Sequence, residues 1–89
     1  MTPATFEADL KRDGFAEIDT RSLPPGQVNA LHSHPFEVKA MVLEGEITLT
    51  VDGTDRSYRS GDVFTMASGC QHAEHVGGSG VSYLVGRKR

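Results

Sequence analysis

His32-Ser33-His34 and the later His72 are the side chains of this 89-residue chain best suited to grip a metal ion. Neutral imidazole is the commonest side-chain ligand for divalent first-row metals. On an extended strand, side chains two residues apart leave the same face, so His32 and His34 would present two nitrogens side by side. His72, brought alongside on a neighbouring strand, would close a three-nitrogen face around one ion. The remaining histidine, His75, stands an odd step from His72 and would point away from that face. Three nitrogens suit Fe(II), Mn(II), Ni(II), Cu(II) or Zn(II), and affinity order alone does not choose among them. Open coordination positions would admit a small bidentate substrate or dioxygen, with the metal as Lewis acid or oxygen activator.

Two carboxylates compete to complete or tune such a centre. Glu37 stands an odd step from His34 and faces away on an unbroken strand. A bend or bulge at Pro35 would reset the register and return it. Glu74 is two residues from His72 and shares its face. A water in place of either leaves a three-histidine centre. Cys70, also two residues from His72, follows a turn; it is expected to be a buried or half-buried structural cysteine.

Short strands are expected to carry these histidines. Thr2-Pro3 marks a helix start, Phe6 and Leu10 share one helical face, and Gly14 stops the helix. Residues 1–14 are therefore expected to form a short helical segment lying against the body, residues 15–89. Phe15–Ser22 is the first expected strand, ended by Leu23-Pro24-Pro25-Gly26. Val28–Leu31 runs on into the histidines. Val38–Leu43 is an apolar extended run, ended by Glu44-Gly45. Glu46 to Val51 alternates polar and apolar throughout, the pattern of a half-buried strand. Asp52-Gly53 is a two-residue hairpin turn. Thr54–Tyr58, Val63–Met66, His72–Val76 and Val81–Val85 follow, with Gly77–Gly80 expected as a flexible loop. Closely spaced strands with turn residues between them predict an all-β antiparallel sandwich or barrel.

Composition narrows the function classes. The net charge of −3 argues against nucleic acid as the main partner. One cysteine allows no intrachain disulfide. No stretch has the apolar length to cross a bilayer and no secretory signal is visible, so the expected location is the cytoplasm, with no membrane partner. No serine sits in a nucleophile motif. No glycine-rich loop leads into a helix to cradle phosphate, and no Cys/His finger spacing occurs. Tyr58, Arg56 and Arg59 are expected as solvated edge positions, and Phe64 and Met66 as core.

The histidines sit in two spaced patterns. Gly26, five residues, His32-Ser33-His34, Glu37 and Gly45 form the first; Gly61, five residues, Ala67-Ser68-Gly69, two residues and His72 form the second. Together they resemble the two motifs of the cupin superfamily, over about residues 20 to 85 and with the short intermotif stretch of small bacterial cupins. Ala67 stands where the family has proline. Counting back from Gly45, the family's glutamate position holds Val38, with Glu37 one residue early. The resemblance implies a small jelly-roll barrel with a metal in its mouth. His32, His34 and His72 would hold the ion, and Glu37 or its rival Glu74 would complete it.

The function expected on that basis is a metal-binding cupin with a modest pocket for a small-molecule ligand. Catalysis would be metal-centred oxidation or isomerisation, as in a dioxygenase or isomerase. The alternatives are a ligand-sensing module without turnover and a structural subunit. At this length a single core is marginal, and the first strand is a natural edge to pair across a two-fold, so a homodimer is expected.

Overall fold

A computed structural model describes residues 1–89. The chain begins with one helix, α1 (Pro3–Arg12). Thr2 caps it, its side chain accepting a hydrogen bond from the Thr5 N–H at 3.1 Å, and Pro3 occupies the first turn, where a missing N–H costs nothing. Gly14, at φ +87°, turns the chain out of the helix. Phe6 and Leu10 are completely buried, as the i, i+4 spacing predicts. Each contributes about 1.5–3 kcal/mol of apolar burial, which a ten-residue helix needs because it would not persist alone.

Six strands follow: β1 (Glu17–Leu23), β2 (Val28–His32), β3 (Glu37–Val51), β4 (Thr54–Arg59), β5 (Val63–Met66) and β6 (His72–Lys88). All pairings are antiparallel. The long strands β3 and β6 run side by side, and each serves two sheets. Their outer halves, with β1 on β6 and β5 on β3, make one sheet in the order β1-β6-β3-β5. Their other halves, with β2 on β6 and β4 on β3, make the second, β2-β6-β3-β4. β3 and β4 are joined through Asp52 and Gly53, both at positive φ (51° and 75°), the backbone of a tight hairpin turn.

The expected breaks at Glu44-Gly45 and Gly77–Gly80 do not occur; the glycines bend strands instead of ending them. Ile47 pairs with Val76 and Gly45 with Val81, so two steps on β3 oppose five on β6, and β6 bulges between Val76 and Val81. Gly45 and Gly80 both take positive φ (78° and 79°). Their backbones approach so closely that a Cβ on Gly45 would stand 1.9 Å from the Gly80 carbonyl oxygen. A loop signal in the sequence is here the crossing point about which the two sheets fold over one another.

Alternation then sorts the side chains. Val38, Ala40 and Val42 of β3 and Val81, Tyr83 and Val85 of β6 face inward, meeting Ile47, Leu49, Phe64 and Met66 in the main core. Met41 and Leu84, of opposite parity, face outward and are covered by Phe6, Leu10 and Phe15. The helix therefore seals the outer face of the first sheet and frees the inner face to build a cavity.

Candidate metal centre

β2 carries His32 at its end, and the chain runs on to His34, whose carbonyl accepts a hydrogen bond from the Gly69 N–H at 2.8 Å. That bond ties the His-x-His segment to the turn before His72. His72 opens β6 and is the direct pairing partner of His32. The three imidazoles converge: ring centroids lie 4.9 Å apart for His32 and His34, 4.3 Å for His32 and His72, and 5.3 Å for His34 and His72. One nitrogen from each lies within 4.8 Å of the others. The three nitrogens are thus gathered at one place, where together they could hold a single ion.

Their tautomers can be deduced. A backbone carbonyl only accepts, so His32 Nδ1 donates to the Ala30 oxygen (2.6 Å) and His72 Nδ1 to the Cys70 oxygen (3.1 Å). In the neutral rings Nε2 is then the free lone pair, and second contacts of this kind are what orient metal-binding histidines. His72 is 1% exposed, and its Nε2 is buried with no hydrogen-bond partner. Glu74 Oε1 stands 3.3 Å from that nitrogen and 3.7 Å from His32 Nε2. Acceptors crowded together in a buried place lack a positive charge between them, so the donor set fits a divalent cation. His34 stacks on Phe36, centroids 5.0 Å apart. Burial, and then the charges of His32 and His72, hold the His34 pKa below its ordinary value, which favours the neutral, ligating form.

Of the two candidate carboxylates, Glu74 lies at the histidines. Its side chain is 11% exposed, and Asn29 Nδ2 donates to its Oε2 at 3.0 Å. Gln27 Nε2 in turn donates to Asn29 Oδ1 at 2.9 Å. Glu37 is exposed at the start of β3, paired in register with Lys88, and Val38 beside it is in the core. The chain bends at Pro35, but His34, Phe36 and Val38 all line the cavity, so the alternation is kept and Glu37 stays on the opposite side. His75 is exposed. Cys70 is half-buried against the core and offers the centre its carbonyl rather than its sulfur. Arg59 is an exposed edge residue whose guanidinium is bound to Glu46 at 2.6 Å. Phe64 and Met66 are core residues and also line the cavity beside the histidines.

Sequence reasoning missed Gln27, Asn29, Arg21, Tyr83 and Arg87, which share that cavity of about 240 Å³ with His32, His34 and Glu74. Asn29 faces the centre because the β2–β6 register slips between Asn29 and His32, which converts an odd sequence step into a shared face. Burial, then the charge of Glu74, pushes the Tyr83 phenol up, against the opposing charges of Arg21 and Arg87. It therefore stays protonated near neutral pH.

Comparison with known proteins agrees with this architecture. Residues 20–85 match the family model described as Cupin domain. An RmlC-like cupin from Shewanella frigidimarina NCIMB 400 superposes with a TM-score of 0.68 at 21% identity, over 81% of this chain and 65% of that one. KdgF from Halomonas sp. gives 0.68 at 18% identity, over 81% of this chain and 67% of that one. Oxalate decarboxylase from Bacillus subtilis, a protein with Mn(II) centres, gives 0.71 at 24% identity, over 80% of this chain but 20% of that one. The present chain thus spans about two thirds of the first two and far less of the third, and what is shared is the fold. No curated protein matches the sequence.

Proposed function

The chain belongs to the cupin domain family, and on that premise we propose that it is a metal-binding cupin whose cavity takes a small metabolite. The observation that carries this is the buried, partnerless Nε2 of His72, facing two further imidazoles and a carboxylate. His32, His34 and His72 would hold the ion, with Glu74 beside it. A divalent ion bound there supplies Lewis acidity and open coordination positions, which suit metal-centred oxidation or isomerisation.

The chain's own residues do the rest. Carbonyls 30 and 70 fix two rings in the ligating tautomer. The Gln27–Asn29 relay fixes one oxygen of Glu74 and leaves Oε1 turned toward His32 and His72. The inward faces of β3 and β6 exclude water with Val38, Ile47 and Val85. Binding without turnover would use the same cavity; oxygen uptake or conversion of candidate metabolites distinguishes the two.

The test of the site is elemental analysis of protein purified without a histidine tag. Wild type is expected to carry about one ion per chain, and His34→Ala to lose most of it while keeping its circular dichroism spectrum. Unchanged metal content in that variant removes the proposal. A homodimer belongs to the same reading, supported by the outer edge of β1, which pairs with β6 on one side only.

A further inference from the structure

We propose that the cavity is built for a small carboxylate-bearing metabolite, with the carboxylate seated on the guanidiniums of Arg21 and Arg87 and the remainder reaching toward the histidines. Both arginines line the cavity that holds His32, His34 and Glu74. Their placement follows from register. Arg21 pairs with Tyr83 and Glu17 with Arg87, so residues 21 and 23 of β1 and 83, 85 and 87 of β6 share the inward face.

Neither guanidinium is spent on a protein acid. Glu17, in register with Arg87, is taken by Arg89 at 2.6 Å. Asp19, between Glu17 and Arg21 on the same face, accepts the backbone N–H of Thr20 at 2.9 Å. Two uncommitted arginines beside one cavity are an anion site by chemistry, since the guanidinium fork matches the two oxygens of a carboxylate. Tyr83, held in its protonated form by burial, adds a neutral donor on the same wall. Arg21 and Arg87 line the same cavity as His32 and His34, so the anion seat and the imidazoles share one space.

Size and lining narrow the class. About 240 Å³ falls below the roughly 300–1,000 Å³ of pockets for drug-sized ligands. Val38, Phe64 and Met66 make part of the wall apolar. A short aliphatic acid with a second oxygen near the carboxylate, a hydroxy or oxo acid, meets all three requirements. The inference rests on the metal reading only for what that second oxygen meets.

The experiment is calorimetric titration of the purified full chain with lactate and pyruvate, against lactamide and pyruvamide, with metal content measured on the same sample. The acids are expected to bind at least about tenfold more tightly than the amides. Arg21→Gln and Arg87→Gln should each weaken acid binding about tenfold or more, with amide binding, metal content and thermal melting unchanged. Arg87→Lys, which keeps the charge and drops the fork, should fall between, and replaces Arg87→Gln if that variant does not fold. Equal affinity for acids and amides, no binding of the acids, or acid binding indifferent to both arginines overturns the proposal. Arginine-dependent acid binding in a chain that holds no ion upholds it and removes the metal reading. A stoichiometric ion with no preference for acids does the reverse.

Discussion

At the residue scale the centre depends on polar contacts one step removed from the histidines. Asn29 holds Glu74, and Gln27 holds Asn29. Asn29→Ala should therefore lower metal affinity about 10- to 100-fold without removing a ligand, measurable by competition with a chromophoric chelator. The pH dependence follows from His34. Its folded pKa lies below the ordinary 6.5, first because of burial. The metal-free folded chain then binds fewer protons than the unfolded chain below that value. The part of its stability that rests on a neutral His34 is complete above 6.5 and is lost as pH falls through the lowered value. Urea midpoints should fall between pH 7.5 and pH 5, and His34→Gln should flatten the slope. The three histidines were legible from the sequence because period-two spacing and turn glycines are local signals. Gln27 and Asn29 were not, because a register slip between Asn29 and His32 overrides their parity. Arg21 and Arg87 were not, because their facing depends on how β1 pairs with a strand about sixty residues away.

At the element scale, helix, hairpin and strand positions were readable from capping, turn chemistry and alternation. Thr2, Pro3, Phe6 and Leu10 behave as their spacing predicts, and Asp52-Gly53 makes the expected turn. What local signals misjudged was continuity. Glycine marks both a chain that stops and a chain that bends, and only the partner strand decides which. β3 continues through Gly45 because β6 continues beside it through the bulge. Gly45→Ala adds a methyl group at positive φ against the Gly80 carbonyl, where neither backbone can yield cheaply. We expect a loss of at least about 2–3 kcal/mol in urea unfolding. Gly53→Ala, at positive φ but with nothing within 4 Å, should cost less. Equal losses would mean that backbone angle alone, not the close approach, matters at residue 45.

At the scale of the whole molecule, two small sheets share their two central strands, and each sheet keeps free edges in β1, β5, β2 and β4. Association through β1 should make sedimentation velocity at micromolar concentration report a dimer; a single monomer species would refute it. The division of labour between sheets reaches further. His32, His72 and Glu74 stand on the sheet built from β2 and the start of β6, while Arg21 and Arg87 stand on the one built from β1 and its end. Between those two groups along β6 lies the glycine-rich surplus from residue 77 to residue 80. Lengthening or trimming that insert would work like the jaw screw of a spanner: a descendant could take longer or shorter ligands while every contacting side chain stayed the same.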